Sequence, residues 1–318
     1  MNTTPPTAAA GDAASSSGRR RGNLLGFWIF NIATRFTGLR GAYGLLYLVC
    51  PYYLLFDRPA VAAALAYLRR RFPGRSEWRL RVDVFKLFIN LGRALIDRNA
   101  ALFRAGLFRI EFPSLAHLDA QFASDKGVIL LLAHVGNWQL ALGALPHVGR
   151  AVTLVMRPED NPAVASNLRV NPAGEGLRIL TAGGDAAGVI HILQRLEAGD
   201  VVCLMADRSY QFRSAAVPFL GDTARMPMGP YQLARSAGCP VLFLSTHRAG
   251  HRHYVMEVEN IPPPDEGAET RSGYLAAWAG RFAARLEDFA QRHPYQVFLF
   301  HDIWSTDPAS AVGNIEKR

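Results

Sequence analysis

His134 is the residue whose type and position best suit a general base. It directly follows Lys126–Ala133, a short run of branched apolar residues that predicts a strand buried on both faces. In α/β sheets, reactive groups lie at the carboxyl ends of strands, where the chain leaves the packed layers. Asn137 fits the N-cap of a following helix. The segment His134–Gln139 therefore predicts a loop that presents an imidazole at the edge of the sheet.

Polar residues follow two other predicted strands. Asp207 and Arg208 come after Val201–Met205, and Arg157 comes directly after Ala151–Met156. A guanidinium at such a position can bind a phosphate through two parallel hydrogen bonds. Asp207 and Arg208 fit a polar site beside His134, and the alternative is a structural ion pair at a strand end.

Buried strands alternate with amphipathic helices along the chain, which predicts an α/β fold: a mixed central sheet flanked by helices, preceded by a hydrophobic helical N-terminal region. Further strands are expected at Leu177–Thr181, Val241–Thr246, His253–Val258 and Gln296–Phe300. Helices are expected at Glu77–Phe108, Asp185–Leu196, Met228–Ala237 and Thr270–Arg292. The expected domains are a disordered tail (1–22), a helical membrane-associating region (23–110), an α/β core (111–305) and a C-terminal tail (306–318).

The composition excludes several classes of protein. The 318 residues are 50% hydrophobic and 19% charged, which excludes a disordered protein. The net charge is +9, and nearly all of the basic side chains are arginines, so an anionic partner is expected. The sequence contains no nucleic-acid-binding module. The cysteines are Cys50, Cys203 and Cys239, and their spacing forms neither a disulfide framework nor a metal site. His247, His251 and His253 fit a hairpin turn better than zinc, so no metal is expected.

The N-terminal region predicts contact with a membrane. Residues Gly41–Phe56 are free of charge, and as a helix they span about 24 Å, less than the hydrocarbon core of about 30 Å. A tilted span, an interfacial helix and a buried core helix all remain open. The tyrosines within this run and the flanking arginines favour contact with lipid. Residues Met1–Gly18 are small and polar and predict a disordered tail.

The segment His134–Gln139 resembles the H-x-x-x-x-[D/E] motif of the lysophospholipid acyltransferase superfamily, and the string HVGNWQLA is similar to its bacterial branch, the late lipid A (lauroyl and myristoyl) acyltransferases. Further matches occur in the same order along the chain. They are a strand ending in Arg157, then Val202–Ser209, Val217–Gly221, Met226–Pro230 and Phe298–Trp304. The resemblance covers most of the chain, from Leu24 to Trp304.

This resemblance implies an acyltransferase at the cytoplasmic face of the bacterial inner membrane. It would transfer a fatty acyl chain from acyl carrier protein or coenzyme A to a hydroxyl or amine of a lipid-linked acceptor, with no cofactor besides this acyl thioester. His134 would take the proton of the acceptor. The expected substrate-binding residues are Arg157, Arg208, Asn137 and Gly229, the last because N–H groups at the start of its helix could polarise the thioester carbonyl.

The sequence departs from the family motif at Gln139, where the family has a carboxylate that orients the histidine. Glutamine can accept a hydrogen bond but carries no charge to stabilise an imidazolium. Three explanations remain open. Asp207 supplies the missing carboxylate, or Gln139 suffices because the acceptor is a strong nucleophile, or the protein binds acyl lipids without catalysis.

Overall fold

The computed structural model describes residues 24–104, 106–113, 126–143, 145, 149–156, 177–181, 186–208, 213–265 and 270–304. The helices are α1 Leu24–Phe56, α2 Arg58–Arg71, α3 Glu77–Phe103, α4 Trp138–Leu142, α5 Ala186–Glu197, α6 Gly229–Ala237 and α7 Arg271–Arg292. The strands are β1 Arg109–Glu111, β2 Val128–Leu132, β3 Val152–Met156, β4 Leu177–Thr181, β5 Val201–Met205, β6 Ser214–Phe219, β7 Asp222–Pro227, β8 Val241–Gly250 and β9 His253–Asn260. The predicted tails, 1–22 and 306–318, lie outside the described residues.

Seven of these strands form one mixed sheet in the order β1-β9-β8-β2-β5-β3-β4. Strand β2 is central and pairs in parallel with both β5 and β8. Strand β9 runs antiparallel to β8, and the short β1 runs parallel to β9. The predicted class, a mixed central sheet flanked by helices, is therefore confirmed.

All five residues of β2 are buried, as its apolar run predicted. Its side chains alternate between the two faces of the sheet. Ile129 and Leu131 belong to the large core shared with the N-terminal helices, α6 and α7, whereas Leu130 belongs to the smaller core on the opposite face. Because both faces of β2 are covered, the chain first reaches solvent where this strand ends, at His134.

The N-terminal helices pack against the core and also leave an exposed apolar surface. Helix α1 is interrupted at Gly38, whose φ is 68°, and buries Leu46 and Cys50. Its other side exposes large side chains, among them Phe36 at 79% and Leu48 at 75%. Residues Trp28–Phe56 are long and apolar enough to cross a membrane by length and composition, with a mean hydropathy of 1.2.

Two predicted elements differ from the structure. The strand expected at Gln296–Phe300 is wrong: a 3₁₀ turn, Pro294–Gln296, leads into a single antiparallel bridge between Val297 and Val135. Within the described part of the chain, this segment pairs with the short loop after β2, which is too brief for a ladder. Helix α3 ends at Phe103 rather than Phe108, because the chain turns through Gly106, at a φ of 73°, to enter β1.

The hairpin of β6 and β7 was not predicted. Its strands contain Pro218 and several alanines, which have weak strand propensity, so the alternation of buried and exposed residues is hard to recognise. Leu220 and Gly221 form its turn, both with positive φ, as a tight hairpin requires.

Candidate active site

The register of two parallel strands brings His134 and Asp207 together. Leu132 of β2 lies opposite Met205 of β5, and each polar residue follows its strand by two positions. Because the carboxyl ends of parallel neighbours lie at the same edge, the two side chains meet there. The backbone N–H of Ala206 donates to the carbonyl of Leu132 at 2.9 Å and extends the pairing into the site.

His134 and Asp207 form a close histidine–carboxylate pair. The distance from His134 Nδ1 to Asp207 Oδ2 is 2.8 Å, and the backbone N–H of His134 donates to the same oxygen at 2.9 Å. The carboxylate is fully buried, whereas 26% of the His134 side chain is exposed. Burial alone would raise the pKa of Asp207, but the His134 ring, these hydrogen bonds and the charge of Arg208 together lower it to about 2.

This geometry fixes the tautomer of the His134 ring at neutral pH. An ionised carboxylate can only accept hydrogen bonds, so Nδ1 carries the proton and donates it to Asp207. In the neutral ring, Nε2 is then left with a lone pair. Because the ring is partly exposed, this lone pair is available to a proton donor from outside the sheet, which is what a general base requires.

The loop that carries His134 is pressed against β8. Gly136 has a φ of +52°, and a Cβ on it would lie 1.7 Å from the backbone oxygen of Thr246. The next residue, Asn137, donates its backbone N–H to Thr246 Oγ1 at 2.7 Å and caps α4 through Leu140 N, as predicted. Its amide also donates to the carbonyl of Ala94 in α3 at 2.9 Å. Asn137 therefore shapes the loop from within the core, at 4% exposure.

Gly136→Ala is expected to destabilise the protein by several kcal/mol, because the added methyl would force the loop and β8 apart. Urea denaturation would measure the change. Gly149→Ala is the matched control: its φ is +76°, but a Cβ there meets nothing within 4 Å, so only backbone strain of about 1 kcal/mol is expected. Equal losses in the two variants would show that the collision with Thr246 is unimportant.

The C-terminal segment completes the site. Gln296 accepts the N–H of Gly136 at 2.8 Å, and Phe298 donates to the carbonyl of His134 at 2.7 Å. This segment carries His301, which we did not single out in the sequence, although the surrounding Phe298–Trp304 belonged to the resemblance. Burial lowers the pKa of His301 to about 4, and the charge of Arg208 contributes. His301 is therefore neutral at physiological pH.

Gln139, predicted at the position that orients His134, takes a different partner. Its Oε1 accepts a hydrogen bond from Arg98 Nη1 of α3 at 2.6 Å, and the described residues give it no hydrogen bond to His134. The carboxylate beside the imidazole is that of Asp207. Of the three explanations for Gln139, this geometry favours the one in which Asp207 supplies the acidic partner.

The remaining candidates are placed less centrally. Arg208 adjoins Asp207, and its Nε is buried without a hydrogen-bond partner among the described residues. Gly229 opens α6, and the described residues show no hydrogen bond between it and the His134–Asp207 pair. Arg157 lies outside the described residues.

The three clustered histidines lie on or near the predicted hairpin and take separate contacts. His247 stacks on His293 with ring centroids 3.9 Å apart, His251 meets the ring of Tyr43 edge-on, and His253 pairs with Glu111 at 3.0 Å. Within the described ranges, no group of three or more His, Cys, Asp or Glu side chains could hold a metal ion.

The fold and the site together define a class of α/β protein that carries a histidine–carboxylate pair at the carboxyl edge of a mixed sheet. Residues 60–306, most of the chain, match the model of the bacterial lipid A biosynthesis acyltransferase family. The chain belongs to this family, as the motif set around His134 indicated.

Curated relatives come from mycobacteria. A phosphatidylinositol mannoside acyltransferase of Mycobacterium tuberculosis (strain CDC 1551 / Oshkosh) is 34% identical over 196 residues, which are 61% of this chain and 59% of that protein. One from Mycolicibacterium smegmatis is 26% identical over 184 residues, 57% of this chain and 59% of the relative. The chain thus spans about three fifths of the length of the curated relatives it matches.

Among solved structures, the 1-acyl-sn-glycerophosphate acyltransferase PlsC from Thermotoga maritima is similar at 14% identity, covering 77% of this chain and 94% of that chain. Its TM-score of 0.34 does not establish a shared fold.

Proposed function

We propose that this protein transfers a fatty acyl chain from a thioester, acyl-ACP or acyl-CoA, to a hydroxyl of a glycolipid that carries a phosphate. The observation that carries the proposal is the ionised, buried Asp207 at 2.8 Å from Nδ1 of a partly exposed His134. Membership of the lipid A acyltransferase family and the similarity to phosphatidylinositol mannoside acyltransferases support a sugar-bearing lipid as the acceptor.

The proposed reaction is a direct transfer with His134 as general base. Nε2 removes the proton of the acceptor hydroxyl while the hydroxyl oxygen attacks the thioester carbonyl. The C–S bond then breaks, and the leaving thiolate takes the proton back from Nε2. Asp207 keeps Nδ1 protonated and stabilises the imidazolium formed in between, and a positioned proton transfer of this kind contributes about 10²–10⁴ in rate. Atoms and charge balance without an acyl-enzyme.

The other proposed roles follow from position. Arg208 lies next to Asp207 and binds an anionic group of a substrate, as does Arg157. Asn137 shapes the loop that presents the imidazole, and the start of α6 at Gly229 polarises the thioester carbonyl. These assignments rest on sequence position and, for Asn137, on the hydrogen bonds described above.

We place the protein at the cytoplasmic face of the bacterial inner membrane. The large exposed side chains of α1, with Tyr47, Tyr52 and Tyr53 among them, form an apolar surface that lipid would cover. Arg35 and Arg40 on the same helix suit anionic headgroups. An acceptor that resides in the membrane would then reach the site without leaving the bilayer.

A second candidate function is the binding of acyl lipids without catalysis, which the loss of a carboxylate at Gln139 suggested. The carboxylate of Asp207 removes the main ground for it, because the imidazole has an acidic partner from the neighbouring strand.

Labelled acyl-ACP and acyl-CoA, each incubated with the purified protein and glycolipid vesicles, would test the function. Mass spectrometry should identify a glycolipid heavier by one acyl chain, and thiol release should match it mole for mole. Thioester binding without transfer would establish the second candidate instead. Thiol release without an acylated lipid would show hydrolysis and overturn the proposal.

A further inference from the structure

We propose that Arg98 binds the phosphodiester of a substrate and that Gln139 positions its guanidinium without neutralising it. The inference rests on the function proposed above and deepens it, because it names the anionic group that the site recognises.

Among the described residues, no carboxylate forms an ion pair with Arg98. Its Nη1 donates to the neutral amide oxygen of Gln139 at 2.6 Å, and its Nε is buried with no hydrogen-bond partner among the described residues. Burial lowers the pKa of the guanidinium. Because a partly buried charge is costly without a counter-charge, an anion is expected to complete this environment.

Two other arginines of the N-terminal helices are already neutralised by carboxylates. Arg75 contacts the carboxylate of Asp83 at 2.5 Å, and Arg70 contacts that of Asp222 at 2.9 Å. Arg98 is as close to its partner as these, but the partner is an amide. It thus retains both its charge and an unused donor for a ligand.

Arg98 also lies beside the catalytic loop. Gln139 follows His134 by five residues, and Ala94, one turn before Arg98 on α3, accepts the amide of Asn137 at 2.9 Å. Leu95, also on this turn, is exposed. This arrangement fits a ligand with an apolar part and a phosphate. The apolar part would contact the exposed Leu95, and the phosphate would bind the guanidinium of Arg98.

The proposal explains why position 139 holds glutamine. A glutamate there would form a bidentate pair with Arg98 and cancel its charge. Glutamine keeps the hydrogen bond that orients the guanidinium and leaves a net positive charge for the substrate. Two substrates supply a phosphodiester: the headgroup linkage of the lipid acceptor and the phosphopantetheine arm of the thioester donor.

Steady-state kinetics with acceptor and donor varied independently would test this. Arg98→Met removes the charge and keeps the apolar stem, and Gln139→Glu neutralises the charge with the guanidinium in place. Both variants should raise the KM of one substrate by about tenfold or more with a much smaller change in kcat. Arg93→Met is the matched control. Arg93 lies on the same helix and its Nε is also buried without a partner among the described residues, but its Nη2 contacts the Tyr47 hydroxyl of α1 rather than Gln139, so both KM values should stay unchanged.

The substrate whose KM rises identifies the source of the phosphate. Unchanged KM values, or a fall in kcat alone, would overturn the proposal, and a more active Gln139→Glu would show a weakened histidine pair instead. If Arg98→Met fails to fold, the KM values of Gln139→Glu alone decide whether the proposal holds.

Inorganic phosphate supplies a readout without catalysis. At constant ionic strength it should raise the unfolding temperature of the wild type and of Arg93→Met, but not that of Arg98→Met or Gln139→Glu. This pattern in a protein that transfers no acyl group would refute the proposed function and retain the anion site. No stabilisation of the wild type would refute the site itself.

Discussion

Replacing His134 by alanine is expected to lower kcat for acyl transfer by about 10³-fold or more, because general-base catalysis typically contributes about 10²–10⁴. The KM values should change little, since Nε2 acts on the hydroxyl proton in the transition state rather than on the bound lipid. Single-turnover measurement with labelled acyl donor would separate this chemical step from product release.

Two further variants make the His134 result interpretable. Alanine leaves the buried carboxylate of Asp207 without its ring partner, which is itself destabilising. His134→Asn retains an N–H that can donate to Asp207 but has no base, so it should fold normally and be equally inactive. His253→Ala is the control, because His253 is similarly exposed at 31% but lies on β9, two strands away from β2, and pairs with Glu111 of β1. Turnover near that of the wild type in His134→Asn would exclude this histidine as the base.

The placement of His134 and Asp207 at one edge of the sheet could be predicted, because it follows from simple geometry. Both residues come after short, wholly apolar runs, and such runs predict buried parallel strands whose carboxyl ends lie at the same edge of the sheet. The sequence could not supply the order of strands in the sheet, which depends on how the intervening helices pack. That β5 rather than β3 lies beside β2 became visible only in the fold.

Gln139 and His301 show where sequence reasoning fails. The partner of Gln139 is Arg98, 41 residues away on a helix of a different layer, and no local pattern specifies such a contact. His301 follows a segment whose apolar residues suggested a strand, although the backbone of that segment bonds to the loop of His134 rather than to a strand of the sheet. Long-range contacts between irregular segments have no periodicity, so no pattern in the sequence predicts them.

Asp207→Asn is expected to reduce kcat by about 10³–10⁴, a scale set by the same replacement in serine proteases. If the asparagine oxygen takes the Oδ2 position, where it accepts the backbone N–H of His134, the NH₂ group takes the Oδ1 position, 3.0 Å from Nδ1, and donates to the ring. The proton of the neutral imidazole must then sit on Nε2, and the base is lost while the ring remains in place. Stability should fall by about 1–3 kcal/mol, since charge-assisted hydrogen bonds are replaced by neutral ones.

A double-mutant cycle decides whether Asp207 acts through His134. If the carboxylate serves only to orient and stabilise the imidazole, Asp207→Asn should cost almost nothing further in kcat once His134 is already asparagine, because residues that act as a unit are not additive. Asp222→Asn is the control, as this exposed carboxylate pairs with Arg70 and should leave kcat unchanged. Fully additive losses would mean that Asp207 contacts the substrate itself, and the tautomer argument would then be wrong.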